Sequence, residues 1–245
     1  MVLFKNLIKI FFIKLFSFFC FGKKSKVIFY HDIHSNERYT DMSTSIELFK
    51  KHIQIIKENG YELVSQITKE YGQIEICFDD AFLGIYQNID FLNKHNIPIH
   101  LFVVTSYLDK QSYINRKQLL ELSRLDVVKI SSHTHTHNIL DKIAKNEMER
   151  ELRESKENLE DLLGVPVDSI CYPKGRFNKD VISTAQLVGY KNQYSSLPGY
   201  FSDKFQNNVI RRSLVQFAGE EEFKAILKGG DHIWYFWYIL KHFRI

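Results

Sequence analysis

From Lys26 onward the chain alternates short apolar runs with amphipathic stretches, and that alternation narrows its folds more than any other feature. The runs "KVIFYH" (26–31), "QIEICFDD" (73–80), "IPIHLFVV" (97–104), "DVVKISS" (126–132), "VDSICYP" (167–173), "KNQYSS" (191–196) and "NVIRRSLV" (208–215) read as strands. A helix is expected from Ile46, opened by the capping box Thr44-x-x-Glu47, carrying Ile46, Phe49, Ile53 and Ile56 on one face and stopped by Gly60. Further helices are expected after the second strand through Asn93, near Asn115 to Leu125, after Asn146 with Met148, Leu152, Leu159 and Leu162 on one face, and near Lys179 to Val188. Strands separated by helices pair in parallel, so the sheet is either closed as a barrel or open and doubly wound. No linker or composition shift interrupts the pattern, and one domain is expected over residues 26–230.

Composition supports a single sizeable core, with 44% hydrophobic and 25% charged residues among 245. The net charge of +4 is spread among 29 acidic side chains without an arginine-rich block, which argues against nucleic acid as a partner. Cys20, Cys77 and Cys171 are odd in number and far apart, so neither a disulfide framework nor a thiolate zinc site is indicated, and a reducing compartment fits.

Both ends carry unusual apolar character. In "LIKIFFIKLFSFFCFGKK" (7–24), Lys9 and Lys14 leave too short a run to span a bilayer, and Phe18 and Phe19 stand where a cleavage site needs small residues. Residues 1–25 are therefore expected to lie on a membrane surface, on its cytoplasmic side, uncleaved. The tail "HIWYFWYILKHFRI" (232–245) holds both tryptophans and suits a headgroup interface; it suits a helix packed on the core equally well, and residues 231–245 form a third segment under either reading.

In parallel α/β folds chemistry gathers where strands end, because the loops there converge. The sequence places "YHD" (30–32), "FDDAF" (78–82), "SHTHTH" (132–137) and "YPKG" (172–175) at such ends. A single aspartate there is ordinarily a helix cap, but the adjacent Asp79 and Asp80 repel each other unless a cation is near. In an extended chain His133, His135 and His137 share a face; if a turn follows Ser132, His133 and His137 are one turn apart. Either geometry puts two imidazoles on one ion. One carboxylate, two imidazoles and an open position suit a single divalent metal, with zinc favoured and cobalt, nickel or iron also accepted. A water activated there, with the second aspartate taking its proton, gives hydrolysis of an amide or ester.

The segments "CFDDAF", "HTHTH" and "CYPKGRFN", in this order, resemble the motifs of the polysaccharide deacetylase family, carbohydrate esterase family four, in its Y-P-x-G branch. The resemblance covers about residues 26–215 and implies a distorted (β/α) barrel of about seven strands. It implies Asp79 as catalytic base, Asp80, His133 and His137 as metal ligands, His135 at the position the motif leaves free, and the Lys174 backbone N–H as an oxyanion donor.

Three departures stand out. Ala81 replaces the family's glycine, so the turn must avoid positive φ or accept strain; Cys171 replaces the arginine that steadies the base; and the family's final histidine motif has no match. Arg212, or after it Arg211, is the expected replacement for the arginine, and His31, or after it His232, for the histidine. Phe82, Tyr172 and Phe177 are candidates to stack on a sugar, and packing is the rival role for each. What the resemblance implies is removal of N-acetyl groups from amino sugars of a glycan, with a lipid-linked or cell-surface glycan favoured by the apolar ends. The rivals are hydrolysis of another linear amide or cyclic imide, a glycan-binding protein without turnover, and a structural membrane partner.

Overall fold

The computed structural model describes residues 2–20, 22–204 and 209–242. Among the described residues the strands are β1 (Lys26–Tyr30), β2 (Asp32–His34), β3 (Ser43–Ser45), β4 (Glu62–Val64), β5 (Gln73–Asp79), β6 (Ile99–Val103), β7 (Val128–Ser132), β8 (Ser169–Cys171), β9 (Asn192–Tyr194), β10 (Val209–Ile210) and β11 (Arg212–Leu214). The helices are α1 (Val2–Ser17), α2 (Ile46–Glu58), α3 (Leu83–Gln87), α4 (Ile89–Lys94), α5 (Arg116–Leu122), α6 (Lys145–Leu163), α7 (Lys179–Val188), α8 (Glu220–Leu227) and α9 (Tyr235–His242). The expected strand start at Asn208 lies outside the described residues, as do Phe21 and residues 243–245 of the aromatic tail.

All ladders of the main sheet are parallel, in the order β10-β9-β8-β7-β6-β5-β1-β11, with β4 added beside the first half of β5. The two ends of that order, β10 and β11, follow one another in the chain and are separated by Arg211 alone. No ladder joins them among the described residues, so the curled sheet is left open on that side. Val27 and Phe29, Cys77, Phe102, Cys171, Tyr194 and Ile210, drawn from strands all around the sheet, form one buried inner cluster. Counting β10 and β11 as one position gives the seven-fold, distorted barrel arrangement with helices outside.

Strand alternation sorts the side chains. On β5, Ile74, Ile76 and Phe78 join the outer apolar layer under the helices, while Glu75, Cys77 and Asp79 point the other way. The helices are held as their sequences require. Asn115 makes a full capping box with Gln118 on α5, Asn178 caps α7, and Gly164 and Gly189 end α6 and α7 in left-handed conformations. Two expectations shift. The helix at 46 is capped by Ser45, whose hydroxyl accepts from Leu48 N–H; Thr44 instead donates to the Gln216 carbonyl. The single helix expected through Asn93 is two short ones meeting at Asn88, whose amide bonds Ile33 and Gly84 carbonyls.

The two end segments pack on the barrel with one face each. On α1, Ile13 is buried, Lys9 pairs with Glu222 at 2.8 Å, and the Ile13 carbonyl lies where a side chain on Gly230 would be. Leu7, Phe11, Phe12 and Leu15 of the same helix stay exposed, followed by Phe18 and Phe19 at more than 70% exposure. Beyond the helical turn Gly230–Trp234, α9 sets Tyr238 and Ile239 against the core and leaves Trp237 and Leu240 outward. Among the described residues no helix is long and apolar enough to cross a membrane.

Candidate active site

At the end of β5 the chain leaves the sheet through two left-handed residues, Asp80 at φ 70° and Ala81 at φ 62°. The alanine thus accepts the strain that a glycine would avoid. The reversal sends the two carboxylates in different directions. Asp79, buried in the barrel, receives two parallel hydrogen bonds from Arg212, Nη1 to Oδ1 and Nη2 to Oδ2, both 2.7 Å. Burial alone would raise its pKa, but the guanidinium overrides it and holds the carboxyl well below the usual range. Arg212 is itself fully buried, donates Nε to the Ser195 carbonyl at 2.9 Å and lies over the Phe29 ring. Cys171, which takes the place of the family arginine, touches both partners, with its sulfur 2.8 Å from Arg212 Nη2. Of the two expected candidates Arg212 pairs with Asp79, whereas Arg211 turns outward over the Tyr235 ring.

Asp80 is placed differently. Its Oδ1 is buried without a hydrogen-bond partner and stands 3.6 Å from Nε2 of His133 and 3.6 Å from Nε2 of His137. That is too long for a hydrogen bond and short enough to converge on one ion. His133 donates from Nδ1 to the Cys171 carbonyl at 2.7 Å, which leaves the Nε2 lone pair facing Asp80. His137 is kept neutral, its pKa pushed down to about 3 by burial and then by the neighbouring His133. Burial is also the main cause that raises the pKa of Asp80.

The loop between the two histidines is a turn rather than an extended strand, with Thr134 at φ 69° and His137 at φ 64°. Buried Glu151 of α6 fixes it, its Oε2 accepting from the backbone N–H of His135 at 3.1 Å and of Thr136 at 2.8 Å. The turn throws His135 outward, where its Nδ1 meets Thr105 Oγ1 at 2.8 Å. His135 thus stands apart from the convergent donors. Nothing in the sequence marked Glu151 except its place in the first half of a long amphipathic helix.

The "YPKG" segment makes a tight turn beside this group. Lys174 is left-handed at φ 55°, and Gly175, at φ 65°, packs so closely that a Cβ would fall 2.6 Å from Ser196 N. The turn follows directly on β8, whose Cys171 carbonyl accepts from His133 Nδ1 at 2.7 Å. His31, one residue beyond β1, bonds through Nδ1 to Gln216 Oε1 at 2.7 Å. His232 lies elsewhere, against the Tyr200 ring and 3.2 Å from Asp203. The suggested sugar platforms are packing residues: Tyr172 and Phe177 are buried and stacked together, and Phe82 is stacked on Tyr113. The half-buried aromatic rings at the mouth are instead Tyr107 and Tyr113, 4.7 Å apart, with Tyr107 6.3 Å from the His137 ring. Burial and then the Asp80 charge push the Tyr113 phenol up to about 12. No period or motif in the sequence distinguishes these two tyrosines from the other eleven.

The sequence profile of the family described as "Polysaccharide deacetylase" matches residues 66–193, more than half of the chain. The chain belongs to the polysaccharide deacetylase family. YxkH of Bacillus subtilis, a protein bearing the same family name, is 23% identical over 72% of this chain and 66% of its own length, so the chain spans just under two thirds of that relative. A Staphylococcus aureus poly-beta-1,6-N-acetyl-D-glucosamine N-deacetylase is 23% identical over 83% of this chain and 77% of its own. Among solved structures, the Streptococcus pyogenes deacetylase PplD in complex with acetate has a TM-score of 0.72 at 19% identity, covering 84% of this chain and 99% of that one.

This member of the family has a donor set that fits a divalent metal. The observation is the buried, unpartnered Asp80 Oδ1 facing two imidazole nitrogens within 4.8 Å of one another.

Proposed function

We propose that this polysaccharide deacetylase hydrolyses the N-acetyl group of an amino sugar in a glycan, releasing acetate and leaving a free amine. The observation that carries the reading is the asymmetry of two adjacent carboxylates. Asp79 is clamped and ionised by Arg212, while Asp80 keeps a free oxygen between His133 and His137. Asp80, His133 and His137 would hold one divalent metal, zinc by donor type. Bound there, the metal supplies the Lewis acidity that makes water nucleophilic at neutral pH.

The chain's own groups do the rest. As the water oxygen adds to the amide carbonyl carbon, Asp79 takes its proton; the Arg212 fork keeps the carboxylate ionised and aimed, leaving it weak as a base but fixed in position. The Lys174 N–H, in the turn fixed by Pro173 and Gly175, donates to the developing oxyanion. His31, oriented by Gln216, gives the proton that lets the amine leave when the C–N bond breaks. Tyr107 and Tyr113 offer a ring surface to the sugar. Arg212 supplies the charge that the third motif lacks with Cys171 in place of its arginine.

The exposed apolar side chains of α1 and α9 support a place on a membrane surface. The test combines metal content with acetate release from N-acetylglucosamine oligomers and, in parallel, from small amides and cyclic imides. One metal per chain with acetate released from the sugars alone is the expected outcome; turnover of the imides alone moves the substrate class, and a metal-free, inactive protein overturns the reading.

A further inference from the structure

A cavity of about 540 Å³ lies outside the barrel, beside β11. Its wall is formed by β11 and the turn after it, by α1 and α8, and by the Gly230–Trp234 turn with α9; Ile10, Leu214, Phe217, Ile226, Trp234 and Trp237 give it an apolar lining. The charged groups on its wall are already paired within the protein. Lys9 meets Glu222, Asp231 accepts from Lys26 and Ser213, and Arg212 is spent on Asp79. A ligand therefore finds hydrocarbon to bury against and no unpaired charge to bind.

The lining connects two parts of the molecule. Three lining residues also touch the catalytic mouth: Ser196 packs on Gly175 of the oxyanion turn, Gln216 holds His31 and Arg212 holds Asp79. Other lining residues belong to α1 and α9, the two helices that turn Leu7, Phe11, Phe12 and Leu240 outward. We infer that the groove takes the hydrocarbon chain of a lipid-linked amino sugar, seating the acetylated sugar in the mouth while the chain runs between α1 and α9 toward the bilayer. The inference rests on the deacetylase reading for the sugar and on the groove alone for the chain.

The probes are alkyl N-acetylglucosaminides from methyl to dodecyl, and a dodecyl analogue brominated along its chain. Both tryptophans of the protein, Trp234 and Trp237, line the groove, so their fluorescence reports its occupancy whether or not turnover occurs. Each buried methylene is worth at most about fourfold in affinity. The full-length protein should therefore show saturable quenching by the brominated glycoside and a fall in KM of at least about tenfold from methyl to dodecyl, with kcat little changed. Gly219→Phe adds bulk at the groove wall, where a Cβ meets open space and φ is ordinary, and Leu214→Tyr does so at a half-exposed strand position. Each should abolish the chain-length gain and the quenching while methyl-glycoside turnover stays unchanged. Turnover of all glycosides with equal KM and no quenching overturns the groove and leaves the deacetylase intact. Saturable quenching without acetate release upholds the groove and overturns the deacetylase reading instead.

Discussion

Among the donor clusters of the described residues, two have opposite characters. At the mouth, Asp80, His133 and His137 converge; deeper in, Glu75, Cys77 and His100 do the same, and both sets lie within 4.8 Å. In the inner set each nitrogen and oxygen has a protein partner: His100 Nδ1 meets Glu75 Oε1 at 2.7 Å, His100 Nε2 meets Ser131 Oγ at 2.7 Å, and Glu75 Oε2 accepts from Ile67 N–H at 3.3 Å. At the mouth Asp80 Oδ1 has none. Residue type alone thus does not separate a ligand site from a satisfied polar core. The separating feature is whether a buried acceptor has been left for something that is not protein.

The largest effects should fall at the mouth. His137→Ala should lose both metal and turnover, whereas Asp79→Asn should keep the metal and lose about 10²–10⁴-fold in kcat. His100→Ala should keep metal binding at the mouth and instead lose about 3 kcal/mol or more of stability, because Glu75 would stay buried without its partner. Metal analysis beside denaturant unfolding of the three variants checks this. If His100→Ala loses metal while remaining folded, the distinction between the clusters collapses.

The Asp79–Arg212 pair joins the two regions, since Arg212 also acts on Cys77 below it. Arg212→Met should cost about 3–5 kcal/mol by leaving a buried carboxylate unpaired, and adding Asp79→Asn should recover part of that loss. Arg212→Lys, which keeps the charge but not the fork, should fold and lower kcat more than it raises KM. A double-mutant cycle read by urea unfolding, with steady-state kinetics on the lysine variant, checks both claims.

Acid should act in two windows, an upper one in which the inner His100 and the mouth's His137 both resist protonation, and a lower one set by Asp79. His100 is buried with its pKa lowered, by burial first, so below about pH 6.5 the unfolded chain takes up a proton that the folded chain resists, and stability falls. Asp79 is the opposite residue type with the same direction of shift; its contribution stays intact until pH drops below about 3.9 and is lost as pH falls toward its depressed folded value. His100→Gln should flatten the upper window by up to about 1.4 kcal/mol per pH unit and leave the lower one unchanged. Urea midpoints measured across both windows check the separation.

How much of this was legible in the sequence depends on range. Strands and helices were readable because apolar period is local, and the mouth was readable because Asp79, Asp80, His133 and His137 sit next to strand ends in motifs. The inner cluster was not, although Glu75, Cys77 and Asp79 repeat at the period of two that puts them on one face of β5. A polar residue in an apolar strand names its face but not its partner, and His100 and Ser131 arrive from other strands. Gln216 behind His31 and Glu151 behind the histidine turn were hidden for the same reason, since each acts across more than ten residues of chain.

The smallest expected effect concerns backbone strain, which also divides the regions. Asp80, Ala81, Thr134, His137 and Lys174, all at the mouth, hold left-handed conformations, whereas Glu75, Cys77, His100 and Ser131 lie in regular strand. Ala81 is the clearest case, since its side chain is buried and contributes only a methyl group. Ala81→Gly removes the left-handed penalty and gives back part of the gain through the freer unfolded chain, for a net stabilisation of about 1 kcal/mol or less. If strain serves to aim the carboxylates, the stabilised variant should lower kcat, and thermal unfolding beside steady-state kinetics reads both quantities. Stabilisation with unchanged kcat would mean that the turn is held by its surroundings, such as the hydrogen bond from Ile114 N–H to the Ala81 carbonyl, and that the glycine usual in the family is there for its conformational ease alone.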